Sequence, residues 1–509
     1  MSGLTPLLAA GGRGASAVAH TFLGAAPRWY KLVLAGCLVA NPLLLALAGP
    51  AATAWAILAE FVFTLAMSLS CHPLPPAGLL AVEAVALGLM SPQGVYDEVR
   101  TNLSTLLLLV FMVAGVYFLR DALLVGFTRL FVAVRAKLAL PLAFVATAAL
   151  LSAFLDALTV VAVIIAVATG LYAVYHRVAS RRAPGESHDH TDDALVHAAA
   201  RQDLLQFRAF LRGLLMHAAA GTALGGLTTL VGEPQNLLIG DVAGWDFGQF
   251  LVRVAPVSVP VLAVGFLTTV LLETTGWFGY GARLPASVRD VLEDWVRART
   301  RQRDTAVRVR LAAQWLIGVF LVVALALHLA PAGLIGLAVI VLATAFTGVV
   351  EEHAIGRAFQ DALPFAGLLV VFFAIVAMID RQGLFAPVIA AVLARTGTAQ
   401  ALTLFGAAGI LSMVSDNVFV ASTYINQVAA AFHAGAISRE QFDVLAVVVN
   451  AGTNIPSIAT PNGQAAFLFL LTSPLAALIR LDYLAMLRLA LPYACTMTAA
   501  GLAAVAFLL

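Results

Sequence analysis

Two stretches decide the fold of this 509-residue chain: LLSAFLDALTVVAV (residues 150–163) and ILSMVSDNVFVAST (residues 410–423). Each is an apolar run with one aspartate, Asp156 or Asp416, at its centre. Alignment of the two aspartates pairs further identical residues: Leu151 with Leu411, Ser152 with Ser412, and Val160 with Val420. Basic segments, 120–137 and 176–212, flank the first stretch on both sides, so both of its ends are expected in the cytoplasm. We therefore predict that it is a re-entrant hairpin with its aspartate at the tip, and that the second stretch is the matching hairpin from the other side. Because a charged side chain at membrane depth is costly, each aspartate is expected to be functional.

A proline-containing break follows each hairpin. The first half reads GTALGGLTTLVGEPQN (221–236) and the second reads GTNIPSIATPNGQ (452–464). A proline removes one backbone donor, and irregular backbone is tolerated within a membrane only when it lines a cavity or is buried in protein. We therefore predict broken helices over 213–239 and 443–479. Two copies of hairpin plus broken helix, entering from opposite sides, form the inverted repeat that is typical of secondary transporters.

The composition indicates that the solvent around this chain is mostly lipid. Hydrophobic residues make up 61% of the sequence and charged residues only 11%, against about 25% in an ordinary soluble domain. Apolar runs near the spanning length of about 20 residues recur from end to end. We predict an all-α polytopic membrane protein with about 11 transmembrane helices plus the two hairpins. No basic stripe interleaved with aromatic residues favours nucleic acid as a partner, and the three scattered cysteines favour no zinc site or disulfide framework.

The distribution of arginine and lysine predicts the orientation. The basic segments 120–137, 176–212 and 280–310 are expected on the cytoplasmic side. Counting crossings from them places the N-terminus in the cytoplasm and the C-terminus in the periplasm, and the first apolar run reads as an uncleaved anchor. The predicted organisation is as follows: N-terminal scaffold helices in 1–103, a first repeat in 104–275, a cytoplasmic basic linker in 276–311 and a second repeat in 312–509.

The repeated elements carry the candidate cation- and proton-binding residues. Asp156, Asp416 and Glu233 are acidic residues within apolar surroundings, and no basic residue lies within either tip or break. Hard cations prefer oxygen ligands, and the sequence places many nearby as supporting ligands: Thr159, Gln235, Asn236, Ser415, Asn417, Thr453, Asn454, Ser457, Thr460 and Asn462. We predict that Na⁺ binds at Asp156 and Asp416, that a proton competes for the same carboxylates, and that Glu233 is a ligand or a proton-coupling group.

Several other ionisable residues have two readings. Glu60 and Glu83 lie in apolar runs outside the repeats and fit a proton path or a structural pair equally well. His217 could sense pH, or it could be a hydrogen-bonded histidine near the membrane interface. The stretch SHDHTDD (187–193) resembles a metal clip but is favoured as a solvated loop, because nothing rigid is expected to fix its ligands.

Six segments together resemble the NhaB sodium/proton antiporters, and the resemblance covers nearly the whole chain: WYKLVLAGCLVANPLLL (29–45), SAFLDALTVVAV (152–163), GTALGGLTTLVGEPQNLLI (221–239), WFGYGARLP (277–285), SDNVFVASTYIN (415–426) and TNIPSIATPNGQAAFLFLLTSPLAALIRLDY (453–483). The resemblance implies exchange of cytoplasmic Na⁺ or Li⁺ for external H⁺ in the bacterial inner membrane, without a cofactor. It also implies a transport domain that moves against a scaffold within the lipid, often in a homodimer. The acidic residue of the family's FLDALT motif falls on Asp156.

Three alternative functions fit the sequence less well. A sodium-coupled dicarboxylate symporter of the same superfamily has neutral tips, whereas aspartates at both tips would repel a dianion. A membrane enzyme lacks support, because no nucleophile–base pair, metal-ligand spacing or phosphate loop is evident. A structural scaffold would not need three buried acids at repeated breaks.

Overall fold

The computed structural model describes residues 21–182, 188–301, 303–327, 329–360 and 362–509. All regular secondary structure in these ranges is helical, and they contain no strand. The α-helices, numbered in chain order, are α1 Arg28–Ala48, α2 Pro50–Ala66, α3 Leu74–Ala86, α4 Pro92–Thr101, α5 Leu103–Tyr117, α6 Arg120–Ala133, α7 Ala139–Ser152, α8 Ala157–Ala179, α9 Arg201–Gly226, α10 Pro234–Ala243, α11 Phe247–Thr275, α12 Ala286–Arg301, α13 Thr305–Ala326, α14 Ala332–Thr347, α15 Glu352–Gln360, α16 Ala362–Gln382, α17 Ala386–Leu393, α18 Gly397–Ser412, α19 Asn417–His433, α20 Arg439–Asn454, α21 Ala465–Thr472, α22 Pro474–Leu478 and α23 Tyr483–Leu508.

Seven described helices are long and apolar enough to cross a membrane: α1, α8, α11, α13, α16, α20 (continued to Ala459) and α23. The number becomes eight if α4 and α5 together form one bent span. The predicted all-α, multi-pass membrane protein is therefore confirmed. The predicted count of eleven crossings stays a prediction, because four further apolar helices, α2, α3, α7 and α14, are shorter than the roughly 20 residues that a full span needs.

The chain divides into two compact units. The smaller contains the described residues up to Arg100 together with Gly367–Phe385, and the larger contains Thr101–Ala366 and Ala386–Leu509. The N-terminal twenty residues of the predicted scaffold lie outside the described ranges. The predicted division into scaffold, two repeats and linker stays a prediction. All the predicted cation-binding residues belong to the larger unit.

In the smaller unit, α1, α2 and α3 pack together around one polar contact. The amide nitrogen of Asn41 donates to a carboxylate oxygen of Glu60 and to one of Glu83, each at 2.8 Å. Asn41 is almost fully buried, and both glutamates are half-buried. The amide therefore joins the two acids that the sequence singled out here, and these contacts leave their role in proton coupling open.

In the larger unit, close helix pairs are built on small residues. A Cβ atom at Gly225 on α9 would lie 1.9 Å from the carbonyl oxygen of Ala149 on α7, so only glycine permits this approach. The equivalent pair in the second repeat is α20 against α18, where a Cβ at Gly452 would lie 3.1 Å from the carbonyl oxygen of Phe405. In each predicted hairpin, the helix before the aspartate (α7 or α18) thus packs against the helix that ends at the break (α9 or α20).

Both predicted breaks are present. Helix α9 ends at Gly226, and the chain continues through an irregular segment to α10, which begins at Pro234. Helix α20 ends at Asn454, followed by a 3₁₀ turn Pro456–Ala459 and then by α21. Proline is favoured in the first turn of a helix because that turn does not need its missing N–H, which explains why α10 and the 3₁₀ turn in the second break both begin at a proline.

One sequence-based boundary is wrong. The first broken helix, predicted over 213–239, begins earlier, because α9 already starts at Arg201 within the basic segment 176–212. Leu204, Phe207 and Leu211 are buried at helical spacing, and Arg208 is buried while it pairs with Asp193. The two arginines at 208 and 212 thus lie on a packed helix rather than in a solvated loop.

Candidate functional site

The two tip aspartates occupy the same structural position. Asp156 is the N-cap of α8, and its carboxylate accepts a hydrogen bond from the backbone N–H of Thr159 at 3.3 Å. Asp416 is the N-cap of α19 and accepts from the backbone N–H of Val418 at 2.8 Å. Both side chains are half-buried. A carboxylate at this position is favoured by free backbone donors and by the helix dipole, so the N-terminus of the following helix stabilises the negative charge at each tip.

The turns before the two aspartates also match. The N–H of Leu155 donates to the carbonyl oxygen of Leu151 at 2.7 Å, and the N–H of Ser415 donates to that of Leu411 at 3.0 Å. Each bond closes the last turn of the first arm immediately before the aspartate. The alignment made on sequence therefore corresponds to the same backbone geometry in both halves of the larger unit.

Each tip is fastened to its own break by a threonine. The hydroxyl of Thr229 donates to the carbonyl oxygen of Ala153, and the hydroxyl of Thr460 donates to that of Met413. The glycines that follow are also equivalent, because a Cβ at Gly232 would lie 2.9 Å from the carbonyl oxygen of Ser152 and one at Gly463 would lie 2.6 Å from that of Ser412. Tip and break thus form one packed body in each repeat.

Glu233 lies in the first break, directly before α10, and is 6% exposed. Its Oε1 atom is buried and has no hydrogen-bond partner among the described residues. The carboxyl group fits beside Gly226, where a Cβ would lie 2.9 Å from Oε1. Glu233 is also close enough to Asp156 and Asp416 for electrostatic repulsion from both. The structure therefore brings the three predicted acids into one electrostatic neighbourhood.

Amide side chains join the two breaks to each other. The Nε2 of Gln235 donates to Oδ1 of Asn454 at 2.8 Å, and the Nδ2 of Asn454 donates to Oδ1 of Asn236 at 3.2 Å. The same Asn454 nitrogen also donates to the backbone and side-chain oxygens of Asn450, each at 2.9 Å. Asn450 in turn donates to the carbonyl oxygen of Leu227 at 3.3 Å. Asn454 is thus the centre of a buried link between α9, α10 and α20.

The second break holds a similar polar cluster against its own tip. Hydrogen-bond logic orients the Asn417 amide so that its nitrogen donates to the carbonyl oxygens of Thr453 and Gly463, at 3.1 and 3.0 Å. Ser412 donates to the same Thr453 carbonyl at 2.6 Å, and Ser457 donates to the carbonyl of Asn454 at 2.7 Å. These groups fix the geometry of the break and leave amide and hydroxyl oxygens near Asp416.

The remaining predicted ligands lie in the same two elements. The hydroxyl of Ser415 is buried without a hydrogen-bond partner in the described part of the chain, directly beside Asp416. Thr159 contacts Asp156 through its backbone N–H, and its side chain is half-buried. Asn462 is half-buried within the second break. Asn236 is committed to the break itself, because it donates to the carbonyl oxygens of Gly226 and Thr229 at 2.6 and 2.7 Å.

Sequence reasoning missed Gln464 and Thr229. Thr229 lies eight residues after the glycine that starts its break, as Thr460 does in the second half. Glu233 and Gln464 each lie twelve residues after that glycine, so they also occupy equivalent positions. Gln464 is 2% exposed, and its Nε2 is buried without a partner among the described residues. Extending the alignment through the breaks would have found both residues. It also shows an asymmetry, because an acid in the first half corresponds to a neutral amide in the second.

His217 lies in a separate buried network on α9. Its Nδ1 is 2.6 Å from the hydroxyl of Tyr493, and its Nε2 is 3.0 Å from a carboxylate oxygen of Glu273. The Tyr493 hydroxyl is also 2.6 Å from that of Thr269, and the ring of Tyr280 packs on the imidazole with 4.4 Å between centroids. His217 is therefore hydrogen-bonded, while its position relative to the membrane interface and a role in sensing pH stay predictions. Its partner Glu273 was missed because it lies at the end of an apolar run, where an acidic residue is not unusual.

The chemistry available at the tips is that of oxygen ligands and exchangeable protons. The ion pairs within 4.0 Å among the described residues involve other acids, including Asp193, Glu273, Glu293 and Asp443. No basic side chain therefore neutralises the tip aspartates or Glu233 in that part of the chain. No three His, Cys, Asp or Glu side chains there already surround a metal position. A cation here would be held by carboxylate, amide, hydroxyl and carbonyl oxygens together.

Comparison with known proteins identifies the family of this chain. The family model described as bacterial Na⁺/H⁺ antiporter B (NhaB) matches residues 13–509. The chain is 58% identical over 486 residues to the Na⁺/H⁺ antiporter NhaB of Saccharophagus degradans, covering 96% of this chain and 97% of the relative. It is 56% identical over 495 residues to the NhaB of Vibrio cholerae strain O395 (97% and 93% covered) and 56% identical over 480 residues to that of Hahella chejuensis (94% and 96%). The chain therefore belongs to the NhaB family of bacterial sodium/proton antiporters, which are membrane transporters and not enzymes.

Proposed function

We propose that this protein exchanges cytoplasmic Na⁺, or Li⁺, for external H⁺ across the bacterial inner membrane. The cation and the proton compete for the carboxylates of Asp156, Asp416 and Glu233. Transport requires no cofactor beyond the transported ions. The N-terminus lies in the cytoplasm and the C-terminus in the periplasm, and the protein works within lipid as a homodimer.

The observation that carries this proposal is the set of three neighbouring acids without a paired base. Two of them are held at helix N-termini in matched tips, and the third has a buried oxygen without a hydrogen-bond partner in the described chain. A buried carboxylate that lacks a partner is costly unless it is protonated or bound to a cation. Repulsion of Glu233 by Asp156 and by Asp416 adds to that cost. Each acid therefore needs either H⁺ or a cation, which is the condition for competition.

Sodium binding at the tips would draw on nearby oxygen atoms. Ser415, next to Asp416, offers a buried hydroxyl that is not engaged elsewhere in the described residues. The breaks add backbone carbonyl groups and the amide oxygens of Asn417 and Asn454. These oxygen ligands, without nitrogen or sulfur, favour a hard cation such as Na⁺. Glu233 acts as a further ligand or as the group that couples the proton.

Movement of the site is supported by how the repeats interlock. Helix α10, which follows the first break, packs on α19, the helix that begins after Asp416. Helix α21, which follows the second break, packs on α8, the helix that begins after Asp156. Because each half holds the acidic helix of the other, we propose that the two tips move together and change the side to which the site is open.

The dicarboxylate symporter considered from the sequence gains no support from the relatives. The three named above are all sodium/proton antiporters. Acids at both tips, with Glu233 beside them, would repel a dianionic substrate.

The test is sodium-triggered proton flux in proteoliposomes that hold purified protein and an internal pH dye, with lithium, potassium and a dicarboxylate as comparators. We expect a pH change with sodium or lithium and none with potassium. Asp156→Asn and Asp416→Asn should each raise the sodium concentration for half-maximal flux at least about tenfold, which corresponds to about 1.4 kcal/mol of lost binding. Glu233→Gln should impair exchange as well.

Glu60→Gln is the matched control, because it neutralises a membrane glutamate in the smaller unit. Its effect should be milder than that of either tip variant. Equal sodium affinity and exchange rate in the wild type and both tip variants would remove the aspartates from the mechanism. Entry of a dicarboxylate with sodium, without proton movement, would establish symport instead.

A further inference from the structure

Three imidazole rings meet at the end of α8, away from the acidic tips. His176 lies in the last turn of α8, and His188 and His190 come from the segment that follows it along the chain. The Nδ1 of His176 is 2.8 Å from the Nε2 of His188. The ring centroids are 5.0 Å apart for His176 and His188, 5.9 Å for His176 and His190, and 4.9 Å for His188 and His190.

We propose that His176, His188 and His190 bind a divalent transition-metal ion. A zinc–nitrogen distance of about 2.0–2.1 Å puts the centre of a bound imidazole about 3.2 Å from the metal, so tetrahedral geometry separates two ring centres by about 5 Å. The three observed centroid separations lie near that value. The rings are therefore already spaced as three nitrogen ligands would be, with a fourth position left for water.

The hydrogen-bonding state of the rings also points to a missing ligand. The Nε2 of His176, the Nδ1 of His188 and the Nε2 of His190 are all buried, and each lacks a partner among the described residues. His176 is fully buried. Buried polar atoms normally have a partner, and a bound ion would give one to the Nε2 of His190, whereas His176 and His188 would bind it through the nitrogens that now contact each other.

Metal binding requires a small rearrangement. The direct contact between His176 and His188 is shorter than the roughly 3.3 Å that separates two nitrogens on a tetrahedral zinc ion. As the side chains stand, no group of three His, Cys, Asp or Glu residues in the described ranges could hold a metal ion, this cluster included. A metal ion would therefore replace the contact between these two histidines, and rotation of the rings about their side-chain torsions would bring the nitrogens around it.

A carboxylate lies on the Nε2 side of the His176 ring, and metal-binding histidines usually have a carboxylate or carbonyl near the nitrogen that does not bind the metal. Oδ1 of Asp193 is 3.9 Å from the Nε2 of His176. Arg208 donates to both oxygens of Asp193, at 2.6 and 2.7 Å, and Arg480 donates to one of them at 2.6 Å. A carboxylate near the nitrogen that does not bind the metal orients the ring and makes the other nitrogen a better ligand. Here the ligating nitrogen would be Nδ1, the one that now contacts His188.

The ligand set selects the class of ion. Three imidazole nitrogens without thiolates suit Zn²⁺, Ni²⁺, Cu²⁺ or Co²⁺, whereas Mg²⁺ and Ca²⁺ prefer oxygen ligands. The metal would connect the end of α8, the helix that begins after Asp156, to the segment leading to α9. Bound metal is therefore expected to restrain this part of the first repeat.

The experiment uses the full-length protein, purified without a polyhistidine tag and stripped with EDTA. Titration with Co²⁺ is followed by visible absorption, and titration with Zn²⁺ by calorimetry, with Mg²⁺ as comparator. We expect about one ion per chain, the intense visible band of tetrahedral Co²⁺, and no binding of Mg²⁺. His188→Gln and His190→Gln should each weaken binding at least tenfold. Asp193→Asn should weaken it by about 10–100-fold, as loss of such a carboxylate does in other sites.

His353→Gln is the matched control, because His353 is an exposed histidine outside the cluster. The two loop variants are preferred to a change at His176, whose full burial makes misfolding a risk. Sodium-dependent exchange by the metal-free variants verifies that they are folded. Zn²⁺ and Co²⁺ binding that is unchanged in the His188→Gln/His190→Gln double variant would overturn the proposal. So would absence of a tetrahedral Co²⁺ spectrum in the wild type, or loss of the signal in His353→Gln.

Discussion

The hydrogen bond between Gln235 and Asn454 joins the two repeats, and its contribution is measurable by a double-mutant cycle. The bond is 2.8 Å long, and both side chains are at most 2% exposed. Asn454 makes one further bond to the same first-half segment, donating to Asn236 at 3.2 Å. The cycle compares Gln235→Ala, Asn454→Ala and the double variant with the wild type.

The expected magnitudes follow from the contacts. Hydrogen bonds between helices in a membrane contribute about 0.6 kcal/mol on average and about 1.7 kcal/mol at most. Asn454→Ala removes two bonds between the repeats, so it should lower the free energy of unfolding by about 1–3 kcal/mol. The coupling energy between Gln235 and Asn454 should be about 0.6–1.7 kcal/mol, because only their shared bond is counted. The assay is SDS titration in mixed micelles, followed by circular dichroism.

A second amide pair serves as control. The Nε2 of Gln441 donates to Oε1 of Gln400 at 2.7 Å, which joins α20 to α18 outside the proposed site. This pair should show coupling in stability and none in apparent sodium affinity, whereas the Gln235–Asn454 pair should show coupling in both. A coupling energy for Gln235 and Asn454 below about 0.3–0.5 kcal/mol, the range for independent sites, would refute the claim that this bond links the repeats.

Two further predictions concern packing and pH. Gly225→Ala places a Cβ 1.9 Å from the carbonyl oxygen of Ala149 and should destabilise the protein by at least about 1–3 kcal/mol in a melting experiment. Gly406→Ala is the control, because a Cβ there would have no atom within 4 Å, and it should be neutral or stabilising. Hydrogen bonds from Arg208 lower the pKa of Asp193. This carboxylate therefore adds stability above its ordinary pKa of about 3.9 and loses that contribution as the pH falls through the lowered value. In EDTA, Asp193→Asn should melt below the wild type at about pH 7, and the gap should be smaller at about pH 3, because protonation of the carboxyl group in the unfolded chain begins to remove its contribution.

Each of these two predictions has a contrary result. Equal melting of the Gly225→Ala and Gly406→Ala variants would mean that α7 and α9 do not approach as closely as described. A difference between wild type and Asp193→Asn that is the same at both pH values would mean that the charge of the carboxylate is not what stabilises the folded state.

The sequence predicted the repeated tips well because their signal is local. An aspartate inside an apolar run is visible without any knowledge of the fold, and both tip aspartates were found to cap helices in the same way. The breaks were visible for a similar reason, since glycine and proline mark them. The pairing of Glu233 with Gln464 is harder to see, because the prolines that mark the two breaks stand at different distances from the Gly-Thr start.

Other features could not be read from the pattern. The start of α9 at Arg201 was missed because arginines at helical spacing look like a polar loop until a partner such as Asp193 is known. Glu273 was missed because one acid near the end of an apolar run carries no signal of its own, and only the fold places it 3.0 Å from His217.

The sequence by itself determined that this is a multi-pass helical membrane protein with a duplicated core, since hydropathy and repetition are properties of neighbouring residues. It also determined the family. Only the tertiary structure decided which polar side chains meet: Asn454 bridges to Gln235 and Asn236, and Asp193 joins Arg208 to Arg480. These partners lie far apart along the chain, and inside a membrane their contacts depend on helix packing. Such packing is set by many weak contacts at once, which no single stretch of sequence records.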